Sequence, residues 1–156
     1  MDIETAVLES WDRNCRIMTA VAGRIDESNR RAKPSEDGWP IDVHLAHIHK
    51  VRQFHLRQLD PEGASALPDV SSEGDLGAIK TALEQSASAV QRVMRNSLES
   101  GQGAVVGYDH PVFFLQHVLW HEGWHAGLIF LALRLAGQEV PEEWEEARVW
   151  GRWRTD

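Results

Sequence analysis

The chain has 156 residues, 42% of them hydrophobic, and its 16 Lys and Arg face 24 Asp and Glu for a formal charge of −8. That length is one domain with a real core, so residues 1–156 are read as a single unit, and the carboxylate excess without a dense basic run argues against nucleic acid or an anionic membrane as partner. The apolar run 127–133 stops at Arg134, Met1-Asp2-Ile3-Glu4-Thr5 carries no secretory pattern, and the one cysteine, Cys15, has no internal partner; together these predict a protein that does not span a membrane and works in the reducing cytoplasm.

Apolar periodicity predicts a first helix over about residues 2–30, with Val7, Trp11, Asn14, Met18, Val21 and Ile25 at alternating steps of four and three. A second helix is expected to begin after Trp39-Pro40 and to end near residue 59, where Asp60-Pro61-Glu62-Gly63 breaks it. The third covers about 75–98, with Leu76, Ile79, Leu83, Val90 and Val93 on one stripe. The fourth covers about 109–136 and stops at Gly137, a residue suited to a helix C-terminus. An acidic segment near 141–150 predicts a short last helix, and the connections 61–74 and 99–108 are expected to be loops. Nothing alternates with period two, so the fold class is all-α, and four long amphipathic helices read as a four-helix bundle.

Eight histidines are unevenly placed along this framework. His117, His121 and His125 fall within about 80° of helix surface, on a stripe shared with Phe114, Val118, Leu128 and Ala132. A buried imidazole must satisfy both ring nitrogens, and two of them one turn apart are placed to share a metal ion. Two donors seldom suffice, and the second helix offers a third. His47 lies on a stripe with Val43, Val51 and Phe54 and is the best candidate on geometry; His44 and His55, on the same broad side, stay open. His49, about 140° from His44, is expected to face solvent. A second stripe on that helix, Ile41, Leu45, Ile48, Leu56 and Leu59, competes for the core. His121-Glu122-Gly123-Trp124-His125 also has the spacing of a zinc peptidase motif, with Glu122 as general base. No edge strand to hold a peptide is visible, so this is a lesser alternative; in a bundle Glu122 is expected to orient a ligand from behind or to be solvated.

Three segments together resemble the DinB/YfiT-like family of metal-dependent helical proteins. Trp39-Pro40-Ile41-Asp42-Val43-His44-Leu45-Ala46-His47 is similar to its Trp-initiated second helix with a Leu-Ala-His ligand. His121-Glu122-Gly123-Trp124-His125-Ala126-Gly127 is similar to its HxxxHxG segment, and Leu133-Arg134-Leu135-Ala136-Gly137-Gln138-Glu139-Val140-Pro141 to its closing motif. The resemblance implies an up-down-down-up four-helix bundle, a homodimer, and a zinc or nickel ion held by His47, His121 and His125. It points to relatives that are thiol-dependent S-transferases and mycothiol-dependent maleylpyruvate isomerases. Leu128 stands where members often carry glutamine, which removes a polar group from the neighbourhood of the site.

Three neutral imidazoles leave a divalent ion its full charge and an open position. The leading expectation is therefore an enzyme that activates a small thiol, supplied as a low-molecular-weight cofactor, or a water, toward a small-molecule substrate. Cys15 is expected to be packing rather than that thiol. The alternative is a non-catalytic module braced by its ion, which metal removal would unfold.

Overall fold

The computed structural model describes residues 2–100 and 107–154, so most of the expected 99–108 loop lies outside the described residues. The described chain is all-helical, with four long helices and two short ones: α1 (Ile3–Gly23), α2 (Ile41–Leu59), α3 (Pro61–Ser65), α4 (Leu76–Glu99), α5 (Pro111–Leu135) and α6 (Glu142–Arg148), closed by a 3₁₀ turn at Trp150–Arg152.

Local chemistry sets the ends of these helices. Asp2 accepts from the Thr5 amide at 2.9 Å and Asp75 from the Ala78 amide at 2.7 Å, each satisfying an amide of the first turn that has no partner within the helix. At the end of α5, Gly137 takes a φ of 74°. The Gln138 amide donates to the Leu133 carbonyl and the Gly137 amide to Arg134, the pattern that a left-handed residue permits. The first helix ends at Gly23, seven residues short of its expected end. Beyond it, Asp26 and Asn29 side chains capture backbone amides at 2.8 and 2.9 Å, so the chain turns although Ile25 remains buried. In the expected 61–74 loop, Pro61 sits in the first turn of α3 and the Asp60 carboxylate caps it.

The long helices pack in a ring, each against two neighbours, in the order α1, α4, α2, α5 and back to α1, with a lesser contact between α4 and α5. Ile41, Leu45, Ile48 and Leu56 of α2, Val21 of α1, Ile79 and Val90 of α4, and Phe114 and Ile129 of α5 are almost wholly buried. The competition between the two stripes of α2 is thus decided for Ile41, Leu45, Ile48 and Leu56. Because α2 faces both α4 and α5, its buried sector is wide and also takes in His44, His49 and Arg52. His49 is fully buried rather than solvent-facing: its ring lies between the Ala82 carbonyl at 3.0 Å and the Pro68 carbonyl at 2.9 Å.

At the centre of the ring is a polar node. Arg52 donates from Nε to Glu122 Oε1 at 2.6 Å, from Nη2 to Glu122 Oε2 at 2.7 Å and from Nη1 to the Leu83 carbonyl at 2.7 Å. Asn14 Nδ2 donates to Glu122 Oε2 at 2.6 Å, and the guanidinium lies over the Trp11 ring. One arginine therefore ties together all four long helices. On the opposite face of α5, Phe113, Trp120, Trp124, Leu131 and Leu135 are exposed, beside Gly123 and Gly127. Trp150 and Trp153 are exposed as well, whereas Trp144 packs on Phe130 and under Arg24.

Candidate metal centre

Where α2 runs against α5, four imidazoles meet. His121 Nε2 lies 3.2 Å from His47 Nε2 and 3.1 Å from His125 Nε2. One ligand atom from each of these three residues falls within 4.8 Å of the others, so the three could hold a metal ion. His44 stands behind them, its Nδ1 2.8 Å from His125 Nδ1. His121 and His125 are brought together by one turn of α5, while His47 arrives from α2, 74 residues earlier. Trp39, just before α2, covers the cluster. Its ring is stacked on His125 at 6.2 Å between centroids and meets His47 edge-on at 5.1 Å, while half of its own surface stays exposed.

These distances suit a shared cation. A tetrahedral ion with bonds of about 2.0–2.1 Å holds its ligand nitrogens about 3.3 Å apart, close to the two separations seen. Three Nε2 atoms facing one another can share at most a few protons, whereas three lone pairs can all point at one ion. Among the described residues neither the buried Nδ1 of His121 nor Nε2 of His44 has a hydrogen-bond partner, so no acceptor among them competes to fix the His121 ring in another orientation. The rings are held neutral, which a metal ligand must be. Burial first, and then neighbouring His121, His44 and His47, push the His125 pKa down to about 3. Burial likewise lowers His44, with His47 adding to it and the Trp39 carbonyl opposing, and lowers His47, with Lys50 adding to it. His121 is lowered by burial and by His47, against Glu122.

The remaining candidates separate cleanly. His55 and His117 do not join the three; they sit together further along the α2–α5 groove, where Tyr108 Oη is 2.6 Å from His117 Nδ1. His44 belongs to the cluster as a partner of His125. Glu122 neither orients a ligand nor meets solvent: both oxygens are taken by Arg52 and Asn14 in the core, which removes the general base that the peptidase reading requires. Its 100° offset from His121 points it inward, because the core of α5 extends to Val118, Glu122 and Ile129. Cys15 is largely buried near this node, and burial pushes its thiol up to about 12, against the nearby Arg52; it is inert as a nucleophile at neutral pH. Two participants had weak signals in the sequence. Arg52 could have been noticed as a charge on the otherwise apolar stripe of Ile41, Leu45, Ile48 and Leu56, and Trp39 stood out only as part of a motif.

The direction of these shifts makes metal-free stability depend on pH. In the folded protein His125 stays neutral down to about pH 3, while in the unfolded chain it protonates near 6.5. Below 6.5 the unfolded state therefore binds a proton that the folded state refuses, and stability falls as pH drops; above 6.5 this contribution is complete and constant. His44, His47, His49, His55 and His121 shift in the same direction. Urea unfolding of metal-free protein should lose on the order of 1 kcal/mol per pH unit between pH 6.5 and 5 from His125 alone. A midpoint unchanged across that interval would mean that these rings protonate freely in the folded state.

A ring of helices with imidazoles from two of them converging on one point defines a histidine-cluster helical protein able to hold a metal ion. The chain belongs to the DinB family, whose family model matches residues 1–147. Comparison with the curated proteins and with the solved structures gave no match. No described helix is long and apolar enough to cross a membrane.

Proposed function

We propose that this protein is a metal-dependent enzyme that activates a small thiol at an ion held by His47, His121 and His125, in the manner of an S-transferase or isomerase, with hydrolysis by an activated water as the variant of the same chemistry. Zinc and nickel are the ions proposed, and the up-down-down-up arrangement of the long helices belongs to the same reading. The observation that carries it is the convergence of three neutral Nε2 atoms at the rim of the bundle, where His47 and His121 are only half buried. Three neutral donors leave the charge of a divalent ion uncompensated and a coordination position free, and such an ion lowers the pKa of a bound thiol or water toward neutrality.

The chain's own residues complete this arrangement. With Nε2 directed inward, His125 holds its proton at Nδ1 and donates it to His44 Nδ1, which fixes the His125 ring and raises its donor strength. Trp39 excludes water from one side. The thiol must come from outside, since Cys15 is half-buried on α1 and protonated, its thiol pushed up to about 12. A purely bracing role for the ion is disfavoured by the Arg52–Glu122 node, which links the four long helices without it.

Loading the protein with cobalt(II) and titrating 2-mercaptoethanol tests the proposal. A near-ultraviolet thiolate-to-cobalt band that saturates with thiol is expected, together with a metal-free protein that stays folded. A cobalt site that never admits thiol or exchanges water, in a protein that unfolds on chelation, would favour the bracing role instead.

A further inference from the structure

We propose that His55, His117 and Tyr108 form a subsite for a carboxylate on the small molecule whose other end reaches the ion; the inference rests on the metal–thiol reading above. His55 and His117 extend the α2–α5 contact that carries the histidine cluster, and Tyr108 reaches them from just before α5. His117 is one turn, about 6 Å, along α5 from His121, and His55 is two turns, about 12 Å, along α2 from His47. The His55 ring centroid is 6.0 Å from that of His117 and 6.2 Å from that of Tyr108. The fully buried Phe114 forms a floor, 5.4 Å from both His55 and Tyr108.

The hydrogen bonding leaves donors free. Tyr108 Oη lies 2.6 Å from His117 Nδ1, which leaves Nε2 of this exposed side chain without a hydrogen bond among the described residues. The half-buried His55 makes ring contacts but no hydrogen bond among the described residues. An imidazole from α2 and one from α5, each with a ring nitrogen left without a hydrogen bond among the described residues and both beside an aromatic floor, suit one planar monoanion.

Charge points the same way. In a protein with a net charge of −8, the hydrogen bond and ring contacts that His55, His117 and Tyr108 make among the described residues include no carboxylate. In the neighbouring metal cluster, Lys50 acts on His47 and Glu122 on His121, and Glu122 is already neutralised by Arg52. A divalent ion at the triad adds two positive charges. The local field therefore favours an anion where the rest of the surface repels one.

Cobalt-loaded protein titrated with ω-mercapto acids of increasing chain length, and with the matching uncharged ω-mercapto alcohols, tests the subsite through the thiolate-to-cobalt band. At an intermediate chain length the acid should bind about tenfold more tightly than its alcohol, the size of effect that one hydrogen bond to a charged group provides. His117→Ala should erase that preference while leaving cobalt content and alcohol affinity unchanged, and Tyr108→Phe should reduce it. Equal affinity of acid and alcohol at every length, or a His117→Ala variant that weakens both alike, would overturn the subsite alone. Bound cobalt that gives no thiolate band with any ligand would overturn the metal–thiol reading and the subsite with it.

Discussion

His47→Ala, His121→Ala and His125→Ala are each expected to lower metal affinity by a factor on the order of 10³, so that protein purified without a histidine tag carries near-stoichiometric metal as wild type and almost none as any of the three variants. The size follows from the donor count. The binding energy of a zinc site, about 10–16 kcal/mol, is shared among few ligands, and losing one of three leaves two imidazoles that seldom hold an ion. The neighbouring histidines should behave differently, which makes the experiment specific. His44 touches the cluster only through His125 Nδ1, so His44→Ala should cost about 10- to 100-fold, the range for an outer partner that orients a ligand. His55 sits with His117 and Tyr108 further down the groove, so His55→Ala should leave metal content unchanged. Elemental analysis with competition against a chromogenic chelator reads all five variants. Full metal content in His47→Ala would exclude the α2–α5 site, whatever became of His121 and His125.

Breaking the central ion pair should produce the largest loss of stability in the molecule. Glu122→Leu would strand the Arg52 guanidinium, 1% exposed, among apolar side chains with only the Leu83 carbonyl, Ser86 and the Trp11 ring for company. Removing one partner of a buried pair costs about 3–5 kcal/mol, because the remaining charge is neither solvated nor paired. For a chain of this length that corresponds to a Tm lowered by roughly 10–15 °C. Arg52→Met should cost a similar amount, leaving Glu122 with Asn14 alone. The double variant Arg52→Met/Glu122→Leu should recover most of the loss, since a buried pair replaced by apolar side chains of like volume is often neutral. Thermal and urea unfolding of the four proteins gives the coupling directly. Additive losses would show that the two side chains act independently and that the node is not the element that ties the helices together. A milder variant separates structure from site: Glu122→Gln should keep its metal, since neither Glu122 oxygen is bonded to a histidine.

Much of the architecture was legible because helix formation is local. The apolar steps of α1, α4 and α5, the Pro40 start and the Gly137 stop all act within a few residues, so their positions emerged within a few residues of those observed, whereas the short α3 at Pro61–Ser65 fell where a loop was expected. The misjudged end of α1 has a local cause too. Ile25 continues the apolar rhythm, but the side chains of Asp26 and Asn29 compete for the backbone and win. His121 and His125 were legible for the same reason, four residues apart on one face.

The sequence by itself determined the helical class, the approximate course of the four long helices, the α5 histidine pair and His47 as the foremost of three candidates for its companion. Only the tertiary structure brought His47 and His44, and not His55, beside that pair, buried His49 and set the fate of Glu122. Each of these depends on how many neighbours a helix has. Helix α2 lies between α4 and α5, so its buried sector spans a wide arc that no single apolar stripe announces. The pairs that matter most, Arg52 with Glu122 and His44 with His125, join residues 70 and 81 positions apart. Periodicity reports which face of a helix avoids water; it carries no information about which polar group on another helix will be waiting there.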